Sequence, residues 1–132
     1  MELKDDRQCF VCGQDNPMGL RLHFEVDDAA RSIKTVFTPQ KVHQGYQDVV
    51  HGGIISTILD EAMTKLAFAL GYNAVTAKLT VRFKKPLMVG EAVVVTGRLV
   101  KEAKRAMEAE AVAVKEDGTI IAEAQGLLMV VR

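Results

Sequence analysis

The stretch "VVHGGIISTILDEAMTKLAFAL", residues 49–70, decides the fold of this 132-residue chain. Its apolar residues recur with the 3.6-residue period of an α-helix, at Ile55, Ile58, Leu59, Ala62, Met63, Leu66, Ala69 and Leu70. Gly71 follows, and glycine commonly terminates a helix at that position. The pattern therefore predicts a helix over residues 53–70, about 27 Å long. It is the only long helical pattern in the sequence.

The segments around this helix alternate apolar and polar residues, which is typical of half-buried strands. The alternation predicts strands over residues 20–26 and 32–38 before the helix, and over residues 75–83, 92–103, 106–115 and 119–131 after it. Gly97 is a candidate for a β-bulge. In the first strand after the helix, one face is expected to carry Val75, Ala77, Leu79, Val81 and Phe83. We therefore expect an α+β domain, with an antiparallel sheet of about five to six strands wrapped around one long central helix.

The size and charge of the chain limit its class. Its length fits one domain over residues 1–132, with an irregular leader over residues 1–19 that holds Cys9 and Cys12. The 17 basic and 17 acidic residues balance, which gives no support for a nucleic-acid partner. No apolar run reaches the roughly 18 residues of a membrane span, so no membrane partner is expected. The polar start "MELKDDRQ" lacks a signal-peptide pattern, which predicts a cytoplasmic location with reduced cysteines.

The helix has candidate chemistry at two points. Gly52 and Gly53 lie at its start, where backbone N–H groups lack intrahelical partners and suit a polarised carbonyl or an oxyanion. Asp60 comes eight positions after Gly52, about 12 Å further along the axis, so one carbonyl cannot reach both within a chain. A second copy with its helix antiparallel would bring Asp60 to the Gly52 amide. If Asp60 is catalytic, the spacing predicts active sites at a two-fold dimer interface.

Three segments of the chain are similar to a known family. "HGGIISTILDEA", the preceding "HQGYQDVV" and the following "TAKLTVRFKKPL" resemble the hotdog-fold acyl-CoA thioesterases of the phenylacetate-degradation (PaaI-like) type. "CFVCGQDNPMGL" resembles a leader common in one uncharacterised branch of that superfamily. The resemblance implies a hotdog domain that hydrolyses an acyl-CoA substrate to a carboxylate and free CoA. It also implies a homodimer as the catalytic unit, a homotetramer, no metal and no further cofactor.

The resemblance assigns the catalytic roles to three residues. The Gly52 N–H would polarise the thioester carbonyl, Asp60 would act as general base or nucleophile across the dimer, and Thr76 would orient the carboxylate or its water. The alternative for Asp60 is a solvated polar stripe on an amphipathic helix. Glu61 is expected to be structural, because it precedes Lys65 by four residues in the favourable orientation for a helical ion pair.

The resemblance also assigns substrate contacts to the loop before the helix. His51 would shape the loop beside the thioester, next to Gly53, with a structural histidine as the alternative. The family often has Asn or Gln where this chain has Gly45. The flanking Gln44 and Gln47 are the expected substitutes, and either would need a small shift of the loop to fill that position.

Two further groups of residues are candidates for binding. Arg82, Lys84 and Lys85 form a basic cluster that would hold CoA phosphates in the implied complex, or would be an ordinary solvated face. Cys9 and Cys12 have metal-ligand spacing, but they are only half of a four-ligand set. Structural or incidental cysteines are therefore favoured, with metal binding as the alternative.

Two rival functions follow from the same residues. One is a hotdog hydratase or dehydratase acting on enoyl or 3-hydroxyacyl thioesters, which would normally need a His/acid pair and a different loop pattern. The other is a non-catalytic acyl-CoA-binding module, which the departure at Gly45 leaves open. Release of free thiol from acyl-CoA distinguishes a thioesterase from both rivals.

Overall fold

The described residues form one long α-helix, six strands and a short 3-10 helix at Lys41–His43. The computed structural model describes residues 1–131, and the α-helix α1 covers Gly52–Ala69. The strands are β1 (Glu25–Asp27), β2 (Ser32–Phe37), β3 (Ala74–Phe83), β4 (Val93–Glu102), β5 (Ala106–Lys115) and β6 (Ile120–Val130). They form one sheet in the order β1-β2-β4-β5-β6-β3, and each neighbouring pair is antiparallel. The predicted α+β architecture is therefore confirmed.

The core lies between α1 and the sheet. The apolar stripe predicted from the helical period is buried there, and Leu59, Met63 and Leu66 are each 0% exposed. Burial of side chains of this size stabilises the fold by about 1.5–3 kcal/mol each. Among residues 1–131, the structure has no helix with both the length and the apolar composition that a bilayer crossing requires.

Glycine allows the sheet to approach α1 closely at one point on β4. A Cβ atom at Gly97 would lie 3.1 Å from Ile33 Cγ2 and 3.4 Å from Ala62 Cβ, which leaves little room for a side chain. The expectation of a bulge at Gly97 is wrong, because the register of β4 shifts further along, between Leu99 and Lys101. Gly97 is thus a packing residue in this strand.

The register of β3 also shifts, and this changes which side chains face the helix. Thr76 pairs with Leu128, whereas Lys78 pairs with Leu127, so Ala77 is the extra residue of a bulge. Paired residues share a face of the sheet. Val75 pairs with Met129 and lies on the outer face, away from α1. The expected single face from Val75 to Phe83 is therefore wrong at its first residue.

The strand predicted over residues 20–26 is also wrong at its start, since β1 covers only Glu25–Asp27. The backbone N–H groups of Leu20 and Leu22 donate instead to the carbonyl oxygens of Phe10 and Val11. The alternating residues before β1 therefore hold the leader against the domain.

Candidate active site

His51 forms the N-cap of α1. Its Nδ1 atom accepts a hydrogen bond of 2.8 Å from the Gly53 N–H. A Cβ atom at Gly53 would lie 2.9 Å from this Nδ1 atom, so glycine allows the imidazole to fold back over the helix start. The observed role of His51 is therefore capping, a task more often performed by Ser, Thr, Asp or Asn.

The Gly52 amide differs from the Gly53 amide, because no group of the same chain accepts its hydrogen within residues 1–131. Such an N–H at a helix start carries partial positive charge and can donate to a bound oxygen atom. The Phe83 ring lies alongside, and a Cβ atom at Gly52 would be 3.3 Å from its Cζ atom. The strand pattern placed Phe83 on the apolar face of β3, but it gave no signal that the ring lies against the start of the helix.

Asp60 and Thr76 are in direct contact. The Thr76 hydroxyl donates a hydrogen bond of 2.6 Å to Asp60 Oδ1, and the contact is partly buried. The bonded hydroxyl fixes the orientation of the carboxylate and leaves Oδ2 without a hydrogen-bond donor among the residues described. The structure thus brings together two of the three residues predicted to be catalytic.

Gly52 and Asp60 lie apart on the same helix. Gly52 is its first residue and Asp60 is in its middle, so the Cα atoms are about 12 Å apart at the rise of an α-helix. A single carbonyl oxygen bound to the Gly52 amide is therefore beyond the reach of Asp60 in the same chain.

The loop before α1 places Gly45 beside His51. A Cβ atom at Gly45 would lie 3.5 Å from His51 Cδ2, so a side chain at this position would contact the imidazole. The Gln44 Oε1 atom accepts a hydrogen bond of 3.1 Å from the Asp48 N–H and closes the loop. Gln47 is exposed. The substitution of Gly45 by Gln44 or Gln47 stays a prediction, in which Gln44 would have to give up its bond to Asp48.

The basic residues predicted to bind CoA phosphates are divided between two places. Arg82 lines a cavity of about 540 Å³ on the outer face of the sheet, and Lys84 pairs with Glu123 of the same cavity at 3.8 Å. Lys85 is exposed beyond the end of β3. Arg82 and Lys84 therefore lie on the face of the sheet opposite to α1 and Asp60.

Glu61 does not form the expected pair with Lys65. Cys9 Sγ donates to Glu61 Oε2 at 3.2 Å, and Lys65 Nζ donates to Cys12 Sγ at 3.4 Å. None of the ion pairs found in residues 1–131 joins Glu61 to Lys65. Burial, followed by the neighbouring Glu61 carboxylate, raises the pKa of the Cys12 thiol to about 12. The leader thus covers the Glu61 side of α1, a contact that the helical pattern could not reveal.

The segment that holds Gly52, Asp60 and Thr76 matches a known family. A sequence model described as "Thioesterase superfamily" matches residues 47–122, more than half of the chain. The chain belongs to the thioesterase superfamily. The matched range includes the helix start, Asp60 and Thr76, so the candidate site lies within the part of the chain that defines this superfamily.

Relatives and solved structures agree with membership of the superfamily. Acyl-coenzyme A thioesterase THEM4 of Rattus norvegicus is 32% identical over 94 residues, which are 71% of this chain and 40% of that protein. The chain spans between 40% and 52% of the length of the curated relatives it matches. The family resemblance drawn from the sequence is therefore confirmed.

Two solved structures share the fold. The smu.793 protein of Streptococcus mutans UA159, bound to acetyl CoA, has a TM-score of 0.78 at 17% identity and covers 83% of this chain and 88% of its own. The E. coli PaaI protein from the phenylacetic acid degradation operon has a TM-score of 0.79 at 18% identity and covers 86% and 81%. The predicted hotdog fold is confirmed by these likenesses.

Proposed function

We propose that the chain is an acyl-CoA thioesterase, which hydrolyses a thioester to a carboxylate and free CoA. The hydrogen bond of 2.6 Å from Thr76 to Asp60 carries the proposal, because it holds a carboxylate on the helix whose first amide is open to an acceptor. Hydrolysis of a thioester needs these two kinds of group, a base or nucleophile and a donor to the carbonyl oxygen. The acyl-CoA substrate is inferred from the named activity of the rat relative and the acetyl CoA of the streptococcal structure.

The proposed reaction uses both the Gly52 amide and the Asp60 carboxylate. The Gly52 N–H donates to the thioester oxygen and stabilises the negative charge that develops there. The Asp60 carboxylate takes a proton from a water molecule as that water attacks the carbonyl carbon, or it attacks the carbon directly and water then cleaves the resulting anhydride. The carbon–sulfur bond breaks, and the departing thiolate takes up a proton to give free CoA. No step of this reaction requires a metal or another cofactor.

We also propose that two copies share each site. With α1 of one copy antiparallel to α1 of the other, Asp60 of one chain faces the Gly52 amide of the other. Support comes from β3, which lies at an edge of the sheet and has apolar side chains open to solvent in the single chain. Leu79 is 37% exposed and Phe83 52%. Apolar edge strands of this kind are usually covered by another chain or element.

Assembly, location and CoA contacts complete the proposal. A homotetramer made from two such dimers is expected from the family resemblance.

Cys9 and Cys12 are both free thiols, as is usual in the cytoplasm, and this supports a cytoplasmic location. Among the three proposed phosphate contacts, Lys85 is the one away from the outer-face cavity, because it is exposed beyond the end of β3. Arg82 and Lys84 would reach a CoA chain only around the sheet edge.

A free-thiol assay over a panel of acyl-CoA substrates tests the activity. Asp60→Asn is expected to lower kcat/KM by about 10²–10⁴-fold, the usual contribution of a general base. Asp28→Asn, an exposed site between β1 and β2, is the matched control and should retain activity. Equal rates for wild type and Asp60→Asn would contradict the mechanism. Binding of CoA esters without thiol release would favour the binding module, which the missing side chain at Gly45 supports.

Mixed dimers test the sharing of the site between chains. Gly52→Pro removes the amide donor, and Asp60→Asn removes the carboxylate, so each variant alone should be inactive. A dimer of the two variants has one complete site if the residues act across the interface. Random mixing should then restore about a quarter of the wild-type activity. No recovery in mixtures shown to contain mixed dimers would overturn the sharing of each site between two chains.

A further inference from the structure

A second cluster of reactive side chains lies beside the proposed site but is not used by it. The thiols of Cys9 and Cys12 and the carboxylate of Glu61 meet at the contact between the leader and α1. One ligand atom of each residue lies within 4.8 Å of the other two, and all three residues are partly buried. Cys9 Sγ and Glu61 Oε2 are only 3.2 Å apart. Three atoms at such separations can be ligands of the same ion.

The leader is folded so that it presents both thiols together. The Gly13 N–H donates to the Cys9 carbonyl at 2.8 Å, which closes a tight turn, and the Val11 N–H points at Cys9 Sγ at 3.4 Å. A Cβ atom at Gly13 would lie 2.4 Å from the Cys9 nitrogen, so the turn requires glycine. Backbone donors that orient a sulfur ligand in this way are common around metal sites. Val11 is 5% exposed and fixes the turn in the core.

The charges around the cluster favour a divalent cation. Two thiolates and one carboxylate carry three negative charges. A divalent ion supplies two positive charges, and Lys65 supplies the third, with its Nζ atom 3.4 Å from Cys12 Sγ. Thiolate sulfur together with carboxylate oxygen suits Zn²⁺, which accepts both ligand types. A bound Zn²⁺ ion would therefore leave the site neutral, with Lys65 as an outer donor to a ligand sulfur.

We propose that Cys9, Cys12 and Glu61 form a Zn²⁺ site that fastens the leader to α1. Binding exchanges the two thiol protons for the metal and releases them to solvent. Three protein ligands leave one coordination position for water in a tetrahedral site. The inference does not depend on the proposed thioesterase activity, because the cluster and the carboxylate of Asp60 have different partners.

Metal analysis and cobalt substitution test the site directly. Wild-type protein purified under reducing conditions is expected to hold about one Zn²⁺ per chain. After the metal is removed, Co²⁺ should give a thiolate-to-cobalt charge-transfer band that saturates at the same ratio and is displaced by Zn²⁺. Removal of the metal should lower the melting temperature by about 5 °C or more, and added Zn²⁺ should restore it.

Variants assign the ligands. Cys9→Ser and Cys12→Ser should each weaken the cobalt band strongly, and Glu61→Gln should lower the affinity by at least about tenfold. Glu116→Gln, at an exposed turn, and His23→Asn, at an exposed position near β1, are controls that should bind as wild type does. Circular dichroism confirms that each variant is folded, and the wild-type titration needs no variant.

Two results would overturn the proposal. One is a wild-type cobalt spectrum no stronger than that of the Cys9→Ser/Cys12→Ser double variant. The other is Zn²⁺ binding that Glu61→Gln and both cysteine variants leave unchanged.

Discussion

Asp60 and Glu61 are adjacent acids on one helix, yet they meet different parts of the molecule. Asp60 faces β3 and accepts a hydrogen bond from Thr76, whereas Glu61 faces the leader and accepts one from Cys9. Successive residues of an α-helix point about 100° apart, so each acid is packed against a different element. The chemistry of a carboxylate in this fold is therefore decided by the element that packs on it. The chemical type of the two side chains alone does not separate their roles.

The first test of this difference between the two acids concerns the Gly52 amide, which is proposed to bind the thioester on which Asp60 acts. It has the largest expected effect of the four tests. Gly52→Pro removes the N–H at the first helical residue, a position where proline is well tolerated. Gly52→Ala retains the N–H and adds a Cβ atom next to Phe83, so it is the matched control for crowding. Gly52→Pro should lower kcat by about 10²–10³-fold and Gly52→Ala by much less. Similar losses in both variants, measured as thiol release, would mean that crowding and not the amide is important.

The hydrogen bond on the Asp60 side is the next test. Thr76→Val keeps the shape of the side chain but removes the hydroxyl, whereas Thr76→Ser keeps the donor. Loss of a hydrogen bond to a charged group costs about 1.5–3 kcal/mol, so kcat/KM should fall about 10- to 100-fold in Thr76→Val. Thr76→Ser should stay close to wild type. If Thr76→Val keeps full activity, the hydroxyl does not orient the carboxylate.

The thiol on the Glu61 side gives a chemical test of burial. Because the pKa of Cys12 is raised to about 12, its thiol should be alkylated by iodoacetamide at pH 8 about tenfold or more slowly than a free cysteine, in metal-free protein. The raised pKa favours the protonated thiol in the folded state. Its contribution to stability is thus present below the ordinary thiol pKa and is lost as the pH rises towards 12. Mass spectrometry of the Cys9→Ser variant isolates the reaction of Cys12, and a rate equal to that of a free thiol would contradict its burial.

The smallest expected effect concerns the apolar contact beneath the leader. Val11→Ala should lower the free energy of unfolding by about 1–2 kcal/mol, because Val11 is buried where the leader packs on the domain. Thermal unfolding of metal-free protein measures the change. Met18→Ala, at a side chain of the same leader that is 82% exposed, is the control and should unfold like wild type. Equal melting temperatures for all three proteins would mean that burial of the Val11 side chain adds no stability.

The sequence predicts those parts of the fold that repeat locally. The helical period locates α1 to within one residue at each end, and strict alternation locates β2, β4, β5 and β6 closely. Alternation fails before β1, because the backbone of Leu20 and Leu22 pairs with the leader and not with a strand. A local pattern describes which side chains are buried, and it does not identify the partner of the backbone.

Only part of the candidate site and its surroundings was predicted, because a local pattern does not identify distant partners. Asp60, Thr76 and Gly52 follow from the helix start and the family resemblance, and Asp60 and Thr76 do meet in the structure. The contact of Cys9 with Glu61 joins positions 52 residues apart, and no helical or strand period extends that far. The rule for residues four apart on a helix predicted an ion pair between Glu61 and Lys65. Both side chains instead contact cysteines of the leader.

The bulge at Ala77 has a consequence for the whole of β3. Thr76 and Phe83 are an odd number of positions apart, so an unbroken strand would place them on opposite faces. The extra residue puts the strand back in phase, and both side chains reach α1, one at Asp60 and one at Gly52. Deletion of Ala77 would leave only one of these two side chains facing α1. The length of β3, more than its composition, is therefore the property that protein engineering in this chain must conserve.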